Sequence, residues 1–312
     1  MKHKIIDVCA VVVTYNRKEW LIECIEAIKK QTVTVSRILI INNDSSDGTR
    51  EWLDDQLDLE VVHQGNVGGA GGFETGIQRA YEQGHKWIWC LDDDVEPVLD
   101  GLEKMLKHSN TSQCINTNKI GVGGEIIKLG GFMNLLSTNR RPFKEKNISP
   151  RPEWSEFEGA CFEGMLIHRD IVTSIGYPIG EMFIGGDDTL YGLLASLYTK
   201  VILLEDPVIV KKKSLGCKNK LFFGSVTIHS DFYLYHVIRN SFIVKNALIV
   251  CFNRRQAEYI KTILIYSAKA MVRSIFIKEI SYKQVWIIAK AIVDGFEISK
   301  KYNKDYFKKF KI

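Results

Sequence analysis

Hydrophobic and polar positions along the first hundred residues follow two alternating periods. Residues 6–14 are a β-branched run without helical spacing, and 18–31 then place Trp20, Leu21, Cys24, Ile25 and Ile28 on one side of a 3.6-residue period. That strand–loop–helix unit repeats. Arg37–Asn43 predicts a second buried strand, Ser45-Ser46-Asp47-Gly48-Thr49 a turn rich in capping side chains, 49–57 a helix and 59–63 a third strand. The Gly-rich segment 65–72 leads into a helix predicted over 73–83, and 87–91 is a fourth strand running into Asp92-Asp93-Asp94.

Strands alternating with helices at this spacing imply a doubly wound, mostly parallel α/β sheet covered on both faces. Ligands of such sheets sit beyond the carboxyl ends of the strands. Segments 14–17, 42–47, 65–72 and 92–94 all fall at those ends. Further on, 110–160 read as less regular, with an exposed loop over 140–152, followed by a strand over 158–167, a helix opened by Gly185-Gly186-Asp187-Asp188 and a β-rich run over 201–210. From 232 onward the pattern is helical, over 232–250, 254–276 and 282–299. The expected division is a catalytic part, 1–240, and a helical extension, 241–312.

Composition adds limits. At 46% hydrophobic and 25% charged the chain reads as globular, and 312 residues suffice for a large core. Seven cysteines, none in a CxxC pair, suggest neither a disulfide framework nor a zinc knuckle. A cytoplasmic location follows as the expectation, because the N-terminal apolar run is broken by Asp7 and no run of about 18 uncharged apolar residues occurs. The net charge of +5 is unevenly divided: 241–312 hold 15 Lys+Arg against 5 Asp+Glu, leaving 27 against 32 in 1–240. Apolar clusters set between these basic residues favour an anionic membrane surface over nucleic acid, with a packed subdomain or an oligomer contact as the alternatives.

The chemistry centres on the aspartates. Asp92 and Asp94, alternate positions after a buried strand, suit a hard divalent cation, Mn2+ or Mg2+, that neutralises phosphate oxygens. Asn66-Val67-Gly68-Gly69-Ala70-Gly71-Gly72-Phe73 permits close backbone approach and offers helix N-terminal N–H groups to an anion or to sugar hydroxyls, which makes Asn66, Gly68, Gly69 and Gly72 donor-site candidates.

Val11-Val12-Val13-Thr14-Tyr15-Asn16-Arg17, Asn43-Asp44-Ser45-Ser46-Asp47-Gly48-Thr49, the 66–73 loop and Trp89-Cys90-Leu91-Asp92-Asp93-Asp94 resemble, in order and spacing, the nucleotide-sugar half of a family-2 glycosyltransferase with the GT-A fold. The glycine loop is similar to that of the galactofuranosyltransferase and rhamnosyltransferase branches. The resemblance implies that Thr14, Tyr15 and Arg17 border the base and diphosphate, with Asn42 where the family has an Asp facing uracil, and that Asp92, Asp93 and Asp94 contact donor and metal. It further implies that Asp188 is the base activating the acceptor hydroxyl and that Asp187 orients the acceptor. The family's metal-binding His before Tyr235-His236-Val237-Ile238-Arg239-Asn240 is replaced by Lys211-Lys212-Lys213-Ser214, so that a lysine could contact the diphosphate directly; His229, the nearest upstream imidazole, is the remaining metal-ligand candidate. Trp154, Glu156, Glu158 and Glu163 are expected near the acceptor.

The activity implied is inverting transfer of galactofuranose from UDP-galactofuranose to a glycan or lipid-linked glycan of the cell envelope, peripheral to the inner face of the membrane. The alternatives are a dTDP-rhamnose-dependent rhamnosyltransferase and, in other classes, a sugar nucleotidyltransferase or a non-catalytic sugar-binding module.

Overall fold

The computed structural model describes residues 7–129, 152–157, 159–212, 221–223, 226–228, 230–252 and 282–310. The first apolar run becomes β1 (Val8–Thr14), buried along its whole length. It pairs in parallel with β2 (Arg37–Asn43) and β4 (Trp87–Asp92), and β2 pairs in parallel with β3 (Glu60–Gln64). Beyond β4 the sheet continues through β9 (Leu166–His168), β6 (Cys114–Ile120), β10 (Val201–Lys211) and β5 (Val95–Pro97). β9 runs antiparallel to both its neighbours, β6 and β10 are parallel, and β5 is antiparallel to the end of β10. Short strands β7 (Ile126–Ile127) and β8 (Trp154–Glu156) pair with β6 and β10.

Alternate residues of β1 bury against two layers, as its period of two requires. Cys9, Val11 and Val13 pack with α3 (Gly68–Glu82), α6 (Asp187–Ala195) and α7 (Asp231–Cys251). Val8, Ala10 and Val12 pack with α1 (Lys18–Lys29), α4 (Gly101–Leu106) and neighbouring strands. Remaining elements are α2 (Thr49–Asp54), α5 (Arg169–Ile175), the hairpin β11 (Leu221–Phe223) and β12 (Val226–Ile228), α8 (Tyr282–Lys301) and α9 (Lys304–Lys308).

The doubly wound, mostly parallel sheet and the helical C-terminal region stand as expected, and three local expectations are corrected. α3 starts at Gly68 rather than at 73: Gly72 and Gly76 lie against Val13 and Val11 of β1, and that packing outweighs the poor helix propensity of glycine. The strand expected over 158–167 is confined to Leu166–His168, because Gly159 (φ 156°) and Gly164 (φ 106°) take the preceding chain out of extended geometry. The irregular region expected over 110–160 contains a central strand, β6. Its Asn116, Thr117 and Asn118 interrupt the apolar pattern but are buried and bonded: Asn116 Oδ1 accepts from Cys161 N (3.0 Å) and Thr117 Oγ1 from Val208 N (3.0 Å). The loop over 140–152, all but its last residue, and the helix over 254–276 lie outside the described residues, and the expected 240/241 boundary falls inside α7.

Candidate active site

Strands β1, β2, β3, β4, β6 and β10 all end on one edge of the sheet. Because β9 runs the other way, its leading residues reach that same edge: Met165 O accepts from Cys90 N (2.8 Å) and Gly164 N donates to Cys90 O (2.8 Å). Gly164 is required there, since a Cβ would sit 2.9 Å from Ile209 Cγ1 and 3.0 Å from Thr117 Cγ2. The residue before it, Glu163, thereby stands among the ends of β4, β6 and β10.

At this point Asp92, Asp94 and Glu163 bring carboxylate oxygens within 4.8 Å of one another. A turn at 93–94 achieves this, in place of the extended alternation expected from the sequence. Asp94 is 6% exposed, and its Oδ1 is buried without a hydrogen-bond partner. Its other oxygen is 3.3 Å from Arg17 Nη1. Burial, then Glu163 and the neighbouring aspartates, pushes the Asp92 carboxyl well above the usual carboxylate range. Glu163 goes the opposite way. Burial would raise it, yet Lys119 and Lys211 outweigh that and hold it down at about 2. Lys119 Nζ donates to Glu163 Oε2 and to Cys161 Sγ (3.2 Å), and Lys211 Nζ donates to Glu163 Oε1 (3.0 Å). These lysines close β6 and β10, and both are buried.

Asp93 points to the other side. Its Oδ2 accepts from Thr14 Oγ1 (2.8 Å) and Tyr15 N (3.3 Å), and its Oδ1 pairs with Arg17 Nη1 at 2.9 Å. Asp93 thus fixes the loop after β1. That loop is also stitched to the one after β2, with Asn16 Oδ1 accepting from Ser46 N (2.7 Å) and Asp47 Oδ2 from Lys18 N (3.1 Å). Tyr15 remains 46% exposed above it. Asn42 is buried with both ends of its amide committed, Oδ1 to Ser45 N (3.1 Å) and Nδ2 to His63 Nδ1 (3.0 Å).

In the glycine segment, Asn66 Oδ1 accepts from Gly68 N (3.0 Å) and Phe183 O accepts from Ala70 N (3.1 Å), so two first-turn N–H groups are already used. A Cβ on Gly68 would strike Phe183, and one on Gly72 would lie 2.5 Å from Val13 Cγ1. Gly69 faces open space.

Asp187 and Asp188 begin α6 after Gly185 (φ 84°) and Gly186 (φ 85°). Asp187 is buried, and burial together with Asp188 lifts its carboxyl to about 7. Burial also raises Asp188, Glu163 adds to the rise and Lys119 opposes it, which places Asp188 in the field of the lysine–glutamate group. Asp188 Oδ1 accepts from Thr189 N at 2.6 Å. The loop carrying both aspartates is tied down by Asn240 of α7, whose Nδ2 faces Met182 O (2.8 Å), Ile184 O (3.1 Å) and Gly185 O (2.8 Å). Arg239 adds a bond to Glu181 O, and Phe183 is held at φ 62°, a costly conformation for a non-glycine residue.

Two expected acceptor residues fall elsewhere: Trp154 and Glu156 pair with 202–204, the early half of β10, whereas Lys211 ends it. Lys212 points away, to Glu23 (3.1 Å) and Glu96 (2.7 Å). His229, Glu158, Lys213 and Ser214 lie outside the described residues. His236 is buried among Phe183, Phe232 and Tyr235, and burial lowers its pKa to about 4. Sequence reasoning missed Lys119 and the anchoring by Asn240. For the first, the sequence offered only a lysine within a segment read as irregular.

The family model for glycosyl transferase family 2 matches residues 9–171. Galactofuranosyltransferase GlfT1 of Mycolicibacterium smegmatis is 29% identical over 193 residues, and that of Mycobacterium tuberculosis 35% over 195. Each match covers 58% of this chain and 62% of the relative, so the chain spans less than two thirds of either relative's length. Among solved structures, S. aureus TarS 1–349 in complex with UDP-GlcNAc aligns with TM-score 0.57 at 13% identity, over 97% of this chain and 90% of that one. GalNAc-T7 with UDP, GalNAc and Mn2+ aligns with TM-score 0.55 at 12% identity, over 96% and 58%. These likenesses show the GT-A fold. The family match over more than half of its length establishes that the chain belongs to glycosyl transferase family 2.

Proposed function

We propose that this chain is a metal-assisted, inverting galactofuranosyltransferase that uses UDP-galactofuranose and extends a glycan acceptor. The observation that carries the reading is the three-carboxylate cluster at the exit of β4, with Asp94 Oδ1 buried and unpartnered inside it. The donor set fits a hard cation: carboxylate oxygens only, one of them lacking any partner. Asp92, Asp94 and Glu163 would hold Mn2+ or Mg2+, which when bound supplies positive charge to a diphosphate leaving group.

The chain's own residues divide the remaining work. Tyr15, Arg17, Asn66 and Gly69 face the donor, and Thr14, Asn42, Asp93, Gly68 and Gly72 hold the loops and the helix that present them. Asp188, less buried than Asp187, takes the proton from an acceptor hydroxyl, whose oxygen attacks the anomeric carbon as the bond to the diphosphate breaks. One base and no carboxylate nucleophile give inversion. Asp187 orients the acceptor. The choice of donor sugar is supported by the galactofuranosyltransferase relatives over the dTDP-rhamnose alternative.

The same proposal treats 1–240 as catalytic and 241–312 as the part that meets a lipid-linked acceptor at an anionic membrane surface. No helix among the described residues is long and apolar enough to cross a membrane. Attachment would be interfacial, through α8, where Tyr282, Trp286 and Val293 share an exposed face.

The test is UDP release from UDP-galactofuranose with a galactofuranosyl oligosaccharide and Mn2+. Wild type should turn over, Asp188→Asn should lose about 10²–10⁴-fold in rate, and Asp94→Ala should be inactive. No release with or without metal would refute the reading, and release from dTDP-rhamnose alone would move the donor.

A further inference from the structure

The acidic cluster is not matched by acid alone. Asp92, Asp93, Asp94 and Glu163 carry four formal negative charges, and Arg17, Lys119 and Lys211 return three positive ones within the same group of contacts. A purely structural glutamate needs one counter-ion. Glu163 has two, both buried, one on each oxygen. A buried ion pair is a poor device for stability, because desolvating its members costs about as much as their attraction returns. Two buried cations on one glutamate, beside a carboxylate oxygen left without a partner, instead prepare for a further anion. Lys211 is placed for that. It ends β10 at the sheet edge, its ammonium has three hydrogens of which one goes to Glu163, and Glu163 and Asp94 are the charges that hold it protonated against burial.

We infer that Lys211, backed by Lys119, is a positioning residue for the donor diphosphate, a built-in cation that keeps the carboxylate cluster close to neutral until nucleotide and metal enter together. This rests on the donor-site reading above and deepens it. The consequence is linkage. A cluster with one net negative charge attracts a dication weakly by itself, a diphosphate meets a cation already in place, and each ligand improves the site for the other.

Replacing Lys211 therefore moves two affinities in opposite directions, which a merely structural role would not do. Even screened as in bulk water, a unit charge about 5 Å from a dication or a diphosphate changes an affinity by a factor on the order of ten. The experiment is calorimetric titration of the full chain with UDP in EDTA, and, separately, with Mn2+ without nucleotide. For Lys211→Met the dissociation constant for UDP in EDTA rises about tenfold while that for Mn2+ alone falls about tenfold. Lys211→Arg, which keeps the charge, stays near wild type in both titrations. Lys119→Met repeats the tightening of Mn2+. Should Lys211→Met fail to fold, Lys211→Gln, which removes the charge but keeps a donor for Glu163, shows the same UDP defect. Unchanged UDP affinity of Lys211→Met or of Lys211→Gln in EDTA, or weaker Mn2+ binding by Lys211→Met, overturns the inference and leaves the donor site standing. Wild type that binds UDP neither in EDTA nor with Mn2+ overturns both.

Discussion

Substituting Asn240 tests how much of the catalytic geometry depends on one amide in the C-terminal half of the chain. Its Nδ2 is enclosed by three carbonyl oxygens of the loop before Asp187, at 2.8, 3.1 and 2.8 Å, and the residue is 1% exposed. Asn240→Ala removes about two hydrogen bonds' worth of interaction, each about 1 kcal/mol, and strands buried carbonyls, for a total of about 2–4 kcal/mol. At about 2–4 °C per kcal/mol for a chain of this size, the midpoint of thermal unfolding should fall by roughly 5–15 °C. Asn240→Asp should be worse than alanine, because it directs a carboxylate at the same three oxygens. Activity carries the second readout. The loop sets the position of Asp187 and Asp188, and a displacement of about 1 Å at such groups costs about 10²-fold in turnover. UDP affinity should fall less than turnover, since the β1 and β4 ends are held by other contacts and the loop reaches the donor side only through Phe183 against Gly68 and Ala70. Melting by circular dichroism, UDP titration and turnover of both variants decide the matter. A melting point within about a degree of wild type, or a UDP affinity that falls as far as turnover does, would refute the anchoring role.

Burial lifts Asp187 from 3.8 to about 7, so the folded chain binds the extra proton between those values and stability falls as pH rises through that window. Asp187→Asn should raise the melting midpoint more at pH 8 than at pH 5, and an equal shift at both would contradict the assignment. Turnover should rise with pH along a limb near 7 belonging to the Asp187–Asp188 pair, and a pH-rate profile flat between 5 and 8 would count against that pair. Gly72→Val pushes side-chain carbons into Val13 and should cost about 1–3 kcal/mol in urea denaturation, whereas Gly69→Ala, which meets nothing, should leave stability unchanged. Trp286→Ser should weaken sedimentation with vesicles containing anionic phospholipid; unchanged sedimentation would remove α8 from the membrane proposal.

The strand–helix alternation of 8–92 was legible because β1, β2 and β4 are buried on both faces and read as uninterrupted apolar runs. The same rule hid β6, where Asn116 Oδ1, Thr117 Oγ1 and Asn118 Nδ2 bond to partners far away in the chain. Of the site, Asp92 and Asp94 could be read from their place after a strand. Lys119 could not, and Glu163, expected near the acceptor, could not be placed beside Asp92 and Asp94, since nothing local reveals that β9 runs backward and delivers Glu163 to Lys119. The glycine segment was located correctly, but its fit against Phe183 and Val13 depends on contacts that no spacing discloses.

The reversed course of β9 bears on how the carboxylate–lysine cluster comes into being on the ribosome. Residues 92–94, 119, 163 and 211 meet only after each has been synthesised, and the closing contribution, Lys211, lies two thirds of the way along the chain. A nascent chain ending before it can build β1 to β4 with their loops, yet it would hold Glu163 against Lys119 alone. Contacts of such long sequence separation form slowly. Completion of the cluster is thus postponed until β10 is in place, and no fragment that ends before it would hold Glu163 between its two lysines.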